Sequence, residues 1–307
     1  MKTIVVTGAT SFIGRNLVAE LLKKNRVIAV IRKDSKKKKF LPLHKNMHCF
    51  EVDMTDYKCL SLLLGRYKPI DAFIHLAWNG TRGKMRDDSY IQKRNLKASL
   101  EVLRCAEELG IKMFIMAGSQ AEYGPWKEKE KLNESVIPCP NTEYGKAKLA
   151  FYEAAIRKCK EKDIKFIEPR FFSLYGPGDY EGTMIISMLK NMLHNTTCNL
   201  TESIQAWDFL YIDDAIRGIA RLLEENVETG VYNFGSGESH PLKWYVEKMA
   251  EITGTKSNLN FGVVPYPHTG MVNVNPDVHK LMATGWRPQV SFKDGIETII
   301  KSLEGEK

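Results

Sequence analysis

Tyr144 and Lys148 stand four residues apart in the stretch NTEYGKAKLAFYEAA. On a helix that spacing puts them on one face, one turn from each other. A free phenol titrates near ~10 and a lysine ammonium near ~10.4. A cation beside the phenol favours the phenolate, so Lys148 is expected to bring Tyr144 toward a range useful for passing a proton. Asn141 is the expected N-cap of the helix. A third group comes from MAGSQAEYG, Met116 to Gly124, at the end of an apolar run. Catalytic groups in parallel sheets gather at the C-terminal ends of strands, so Ser119 is expected to reach the same substrate oxygen as Tyr144. Taken alone, Y-x-x-x-K is common by chance, and an ordinary surface pair is the better explanation. The rest of the chain has to decide.

The N-terminal stretch MKTIVVTGATSFIG joins an apolar strand to a helix that carries Leu17, Val18, Leu21 and Leu22 on one face. Between them lies a turn with Gly8, Ser11 and Gly14. Glycines at such a turn let the backbone approach a pyrophosphate, which sits on the positive end of the following helix. Ser11 replaces the middle glycine of the familiar fingerprint. It is tolerable there if its φ is negative, and its hydroxyl offers the phosphate a further hydrogen bond. A second strand, Val27 to Ile31, ends in Arg32 and Lys33. A carboxylate at that place hydrogen-bonds the adenosine ribose of NAD, whereas an arginine pairs with a 2′-phosphate. NADP(H) is therefore favoured. NAD(H) stays possible if Arg32 is solvated and Asp34 serves the ribose.

These residues need a frame, and the hydrophobic pattern supplies one. Strand-like runs recur at TIVVTG, RVIAVI, MHCFEVD, IDAFIHLA, KMFIMAGS and IKFIEPRFF, with helix-period stretches such as RNLVAELLKK and NLKASLEVLRCAEEL between most of them. That alternation argues for an α/β fold with a parallel sheet covered on both faces. After Phe172 the alternation becomes irregular and Gly/Pro signals multiply in YGPGDYEG, GSGESHP and VVPYPHTG. The expected organisation is a nucleotide-binding domain over 1–172, to which 205–235 returns through the strand WDFLYI. A smaller lobe takes 173–204 and 236–307.

The composition excludes several classes. A chain of 307 residues, 43% hydrophobic and 27% charged, is ordinary for a globular protein. No apolar run approaches the roughly 20 residues that span a bilayer, and the chain enters a strand directly after Met1 and Lys2, so a cytoplasmic protein with no membrane partner is expected. The six cysteines are scattered, without metal-ligand spacing, and read as free structural thiols; no metal is expected. The net charge of +8 owes much to RKDSKKKKF, Arg32 to Phe40. That run lacks the interleaved aromatics of a nucleic-acid-binding face, so no nucleic-acid partner is expected.

Over nearly its whole length the sequence resembles the extended short-chain dehydrogenases/reductases, in the branch of nucleotide-sugar epimerases, dehydratases and reductases. The motifs are TGATSFIG, VDMTD, HLAWNG, Asn95, GSQAEYG, YGKAK, PRFFSLYGPGD, WDFLYIDD, NFGSGE and GWRP. The resemblance implies a Rossmann-type doubly wound parallel sheet with a smaller mixed C-terminal substrate-binding lobe, a nucleotide-sugar substrate, and a homodimer formed by the helix around Asn95 to Leu109 and the helix from Tyr144. It implies Tyr144 as acid/base, Lys148 on the nicotinamide ribose and Ser119 on the reacting oxygen. Cofactor contacts would come from Gly8, Thr10, Ser11, Phe12, Ile13, Gly14, Arg32, Lys33, Asp53, Met54, Leu76, Ala77, Trp78, Asn95, Tyr144, Lys148 and Phe171. Substrate contacts would come from Ser119, Gln120, Tyr144, Phe172, Ser173 and Trp207.

Departures from the family pattern narrow the reaction. The 4,6-dehydratases resembled carry Asp-Glu directly after the serine; Gln120 and Ala121 stand here, so elimination lacks its acid and base. The epimerase/reductases related to fucose synthesis use a cysteine two residues after the serine, where this chain has Ala121. Two enzyme readings remain. One is NADPH-dependent reduction of the C4 keto group of a nucleotide-linked 4-keto-6-deoxyhexose, which Arg32 favours. The other is a 4-epimerase with tightly bound NAD. A non-catalytic NADP-sensing or RNA-binding protein is the remote alternative, since such members typically lose the tyrosine or lysine retained here. Trp207 stands where relatives place a diphosphate-binding arginine, and Ser173 where many have asparagine. Trp207 suits either core packing or stacking on the substrate, and Lys190 or Arg287 are the candidate replacement cations.

Overall fold

The computed structural model describes residues 1–128, 130–266 and 271–305; the last four residues of the VVPYPHTG turn lie outside them. Seven strands lead the chain: β1 (Thr3–Thr7), β2 (Arg26–Ile31), β3 (Met47–Glu51), β4 (Ala72–His75), β5 (Met113–Met116), β6 (Gly118–Ser119) and β7 (Lys165–Phe171). Shorter ones follow as β8 (Ser173–Tyr175), β9 (Cys198–Asn199), β10 (Ala206–Trp207), β11 (Phe209–Tyr211), β12 (Gly230–Phe234), β13 (His240–Pro241) and β14 (Leu259–Asn260). The main sheet has the order β12-β7-β5-β4-β1-β2-β3, with β6 paired to β7. Its pairs from β3 through β7 are parallel. Every residue of β1, β4 and β5 is buried, the signature of a sheet covered on both faces. The order reverses between β1 and β4, and in such sheets ligands bind beyond the carboxyl ends of the strands at that reversal.

Helices α1 (Phe12–Leu22), α2 (Leu60–Leu64), α3 (Ser89–Leu109) and α4 (Glu143–Glu161) belong to this region. The Asp88 side chain starts α3 by accepting from the Tyr90 and Ile91 amides, and Gly110 at φ +70° ends it. Helix α4 begins at Thr142, whose hydroxyl accepts from the Gly145 amide at 3.1 Å. Thr142 thus takes the cap expected of Asn141, because its hydroxyl is the one that reaches the first turn. The core joins Phe73, Phe114 and Phe166, stacked at 5.8 and 6.3 Å, with Phe151 of α4 edge-on to Phe114.

His75, at the end of β4, is buried between Thr7 and Ser99, bonded at Nδ1 (2.7 Å) and Nε2 (2.8 Å). Burial pushes its imidazolium down to about 3. The folded value lies below the unfolded one of about 6.5, so the unfolded chain takes the proton first and stability is lost as pH falls through that window. Relative to His75→Gln, the wild type should lose about 2 kcal/mol more unfolding free energy between pH 7 and pH 5. Urea melts of both proteins at the two pH values check this.

The chain divides into two compact units: Met1–Gly124, Ser135–Phe171 and Ile216–Tyr232 form the first; Pro125–Glu134, Phe172–Ala215 and Asn233–Lys307 the second. The strand WDFLYI does not return to the main sheet. It breaks into β10, antiparallel to β13, and β11, parallel to β8. Residues 205–215 therefore group with the second unit, and so do residues 125–134, because Leu132 donates to Asn275 O and Trp126 O accepts from Asn273. Two motifs serve as pins of this unit. Asp208 accepts from the Ser236 and Gly237 amides at 2.7 and 2.8 Å, tying WDF to NFGSG. Asp214 accepts from the Gln289 and Val290 amides, and the Trp286 indole donates to its carbonyl.

Candidate active site

Beyond the ends of β1 and β4 the first unit opens into a cleft of about 1070 Å³. Gly8, Thr10, Ser11, Arg32, Met54, Leu76, Ala77, Trp78 and Asn95, all sequence-predicted cofactor residues, line it, joined by Lys37 and Arg94, which sequence reasoning missed. The turn is built for close backbone approach. A Cβ on Gly14 would lie 2.2 Å from the Gly8 carbonyl oxygen, and one on Gly8 would lie 2.7 Å from the Ala77 amide nitrogen. Ser11 has φ −68°, so it fits without strain. Its hydroxyl does not reach outward, however: it caps α1 by accepting from the Gly14 amide at 3.0 Å. Phe12 and Ile13 open α1, where amides have no acceptor within the helix and face an incoming anion. This cradle fits a dinucleotide.

At the end of β2 three carboxylates are engaged, while Asp34 lies exposed at φ +53°. Asp53 accepts from the Lys33 amide at 3.3 Å, Glu51 holds Lys38 at 2.7 Å, and the Lys33 ammonium lies 3.6 Å from Asp56. Among the described residues no hydrogen bond or ion pair engages the Arg32 or Lys37 head groups, both on the cleft. Asn95, expected on the cofactor, is buried and bonds instead to the Asn79 backbone, accepting from its amide and donating to its carbonyl. It shapes the cleft wall. Gln92, buried behind that wall, accepts from the Trp78 indole at 2.8 Å.

Ser119, Tyr144 and Lys148 come together from β6 and α4. The Ser119 hydroxyl faces Tyr144 and favours its phenolate, and both Tyr144 and Lys148 are buried. Lys148 Nζ donates to the Ala117 carbonyl at 2.6 Å and lies 3.8 Å from the centre of the Trp78 ring. The Arg86 guanidinium stands 4.7 Å over the Tyr144 ring. The expectation that Lys148 draws the phenol downward is corrected here. Burial holds Tyr144 above the usual phenol value and outweighs Ser119 and Arg86, which favour the phenolate. The ammonium is aimed at Ala117 and Trp78 and sits 6.0 Å from the phenol ring. Burial also lowers Lys148, to about 8, against the opposing pull of Glu122 and Glu168.

Those two glutamates were not singled out from the sequence. Glu122 accepts from the Ser119 amide at 2.8 Å, and Arg170 Nε donates to Glu168 at 2.8 Å, all three side chains buried. The signal was present as two charges spaced by two inside the apolar strand IKFIEPRFF, which places both on one face.

Gln120 follows Ser119 directly and is half-buried, and Phe171 closes β7, buried. In the second unit, Phe172 is buried, and Ser173 in β8 pairs with Phe209. Trp207 in β10 pairs with His240, and its buried indole N–H finds no acceptor among the described residues. The candidate cations are engaged elsewhere: Lys190 pairs with Glu181 at 3.0 Å, and Arg287 donates to the Trp286 carbonyl at 2.7 Å. The cysteines are all free, no His/Cys/Asp/Glu cluster suited to a metal occurs among the described residues, and no described helix is long and apolar enough to cross a membrane.

Comparison with known proteins agrees with this geometry. CDP-abequose synthase of Salmonella muenchen is 25% identical over 307 residues, covering 99% of this chain and 98% of that one. The dTDP-4-dehydro-6-deoxyglucose reductase of Escherichia coli is 26% identical, covering 98% and 97%. Among solved structures, UDP-glucuronic acid 4-epimerase from Bacillus cereus in complex with UDP-glucuronic acid and NAD superposes with a TM-score of 0.85 at 25% identity, covering 99% of this chain and 100% of that one. The NAD dependent epimerase/dehydratase family matches residues 4–235. With its parallel sheet, glycine cradle and Ser–Tyr–Lys grouping, the chain belongs to that family.

Proposed function

We propose that the protein is an NADPH-dependent reductase of the C4 keto group of a nucleotide-linked 4-keto-6-deoxyhexose, with Ser119, Tyr144 and Lys148 as its catalytic residues. The carrying observation is the pair of unengaged cations, Arg32 and Lys37, on the cleft beside the glycine cradle, where Asp53 and Glu51 are already bonded. Two cations not tied to a carboxylate suit a 2′-phosphate. The similarity to a CDP-abequose synthase and a dTDP-4-dehydro-6-deoxyglucose reductase supports the same class of substrate.

When bound, the nicotinamide supplies hydride to the sugar carbonyl carbon. The protein's own part is the proton and the positioning. Tyr144, kept as a phenol by burial, donates its Oη proton to the carbonyl oxygen as negative charge builds there. Ser119 holds that oxygen by a hydrogen bond. The Arg86 guanidinium over the Tyr144 ring favours the phenolate left behind, and Lys148, charged below about 8, is assigned to the nicotinamide ribose. In the second unit, substrate recognition is assigned to Phe172, Ser173 and Trp207, whose unpartnered indole N–H offers a sugar or phosphate oxygen a donor.

The test is absorbance of the reduced nicotinamide on mixing the protein with dTDP-, CDP-, GDP- and UDP-linked 4-keto-6-deoxyhexoses, with NADPH and separately with NADH. Stoichiometric NADPH loss with one of them is expected. No consumption, together with NAD released on denaturation, would instead mean a 4-epimerase. Arg32→Asp should weaken NADPH by about 2 kcal/mol, about 30-fold in Kd, because a charge-assisted pair is lost. NADH should change far less, and fluorescence titration of both cofactors reads the difference.

A further inference from the structure

Behind the reacting groups lies a closed electrostatic unit that the proposed mechanism does not use. Glu122, in the turn after β6, and Glu168 and Arg170, on β7, are all buried. Arg170 Nε donates to Glu168 Oε2 at 2.8 Å, and its Nη2 lies 3.1 Å from Glu122 Oε2. Glu122 spends its other oxygen on the Ser119 amide, while the Ser119 hydroxyl accepts from the Ala121 amide, a capping box that fixes the turn. The rings of Tyr123 and Tyr152 stand 4.5 and 5.3 Å from the Arg170 guanidinium and close the remaining sides. Gly118 makes room for this: a Cβ there would lie 2.7 Å from Glu168 Cγ and 2.9 Å from Arg170 Cγ.

Glu168 Oε1 has no hydrogen-bond partner among the described residues, and Glu122 Oε2 has only its ion-pair contact with Arg170 Nη2. Both are acceptors when ionised, and two carboxylates side by side away from water do not both keep their charge. One proton placed between them satisfies both oxygens at once. We propose that Glu122 and Glu168 share a single proton and, with Arg170, act as positioning residues: the cluster holds Ser119 through its amide, and the carboxylate left ionised keeps Lys148 an ammonium. This rests on Lys148 and Ser119 being catalytic, as proposed above.

The directions of titration agree. Burial raises both glutamates and Arg170 lowers both. Glu122 faces two donors, the Ser119 amide and Arg170 Nη2, and Glu168 one, Arg170 Nε, so Glu168 is the member that holds the proton. The groups facing Lys148 are few. Glu122 and Glu168 raise it only when ionised, His75 on β4 is neutral above about 3, and the Ala117 carbonyl and Trp78 ring complete its surroundings. Arg86 faces Tyr144 instead. Glu122→Gln removes the charge, whereas Glu168→Gln replaces a protonated acid by a neutral group of the same shape.

The test is an NMR titration of the whole protein carrying lysine labelled with ¹³C at Cε, with the Lys148 signal identified by its loss in Lys148→Arg. Wild-type Lys148 should titrate near about 8. Glu122→Gln should lower it by about one unit or more, and Glu168→Gln should leave it essentially in place. The alkaline limb of kcat should follow the same order. Equal displacement in both variants, or none in Glu122→Gln, overturns the proposal. Should Glu122→Gln fail to fold, ¹³Cδ-labelled glutamate in the wild type decides: one carboxyl still protonated at neutral pH supports the shared proton, and two ionised carboxylates refute it. The titration needs neither cofactor nor substrate, so it still tests the shared proton if the reductase assay fails.

Discussion

Tyr144→Phe should lower kcat by at least about 10³-fold while leaving the Kd for NADPH within about twofold, since general-acid catalysis and the orientation of the reacting oxygen are lost together. The substitution removes one oxygen from a buried ring. The contacts of the ring, edge-on to Trp78 at 6.1 Å and beneath the Arg86 guanidinium, survive. The cradle around Gly8 and Gly14 is untouched, so the cofactor site has no reason to change. Stopped-flow reduction under single-turnover conditions, beside a fluorescence titration with NADPH, separates the two quantities. A variant that retains most of its turnover removes Tyr144 from the chemistry. The wild-type rate should also fall as pH rises through about 8, where Lys148 loses its proton. The sign follows from the burial of the ammonium: above that value Lys148 no longer carries the charge with which it would hold the nicotinamide ribose.

Gly14→Ala is the second large effect, and it acts on the frame. The new Cβ would stand 2.2 Å from the Gly8 carbonyl oxygen and 2.9 Å from the Ala9 backbone. Neither neighbour is the free end of a side chain, so α1 has to move away from the β1 turn. That movement opens the packing of Leu17, Val18, Leu21 and Leu22 on the sheet, at a cost of about 2–4 kcal/mol. It also displaces the Phe12 and Ile13 amides by a fraction of an ångström or more, enough to lose most of the pyrophosphate binding. NADPH affinity should drop by at least about 100-fold. Thermal denaturation with and without NADPH gives both numbers: a lower Tm in the free protein, and loss of the upward shift that the cofactor gives the wild type. Ser11→Ala provides the contrast. It removes a cap hydroxyl bonded to the Gly14 amide, so its cost falls chiefly on stability.

The features legible in the chain alone are local or periodic. The apolar runs became β1, β2, β4, β5 and β7 because parallel strands buried on both faces leave an unbroken hydrophobic signal; β3, at the sheet edge, is only partly buried. The Gly8–Gly14 turn was legible because close backbone approach admits few residues, and Tyr144 and Lys148 because four residues make one helical turn. Where the polar atoms point, by contrast, depended on the packed fold. The Ser11 hydroxyl turned into its own helix, Asn95 onto the Asn79 backbone and Lys148 toward Ala117, since each buried donor or acceptor takes the partner that folding brings within reach. The same holds for WDFLYI, whose strand-like composition says nothing about its partner. Asp208 and Asp214 anchor it to loops 28 and 75 residues away, which pairs β11 with β8 rather than with the main sheet. The Glu122–Glu168–Arg170 cluster is the extreme case. Its members come from two segments more than forty residues apart, and a charged residue there reads as a surface position until the sheet closes over it, leaving pairing and a shared proton as its means of staying buried.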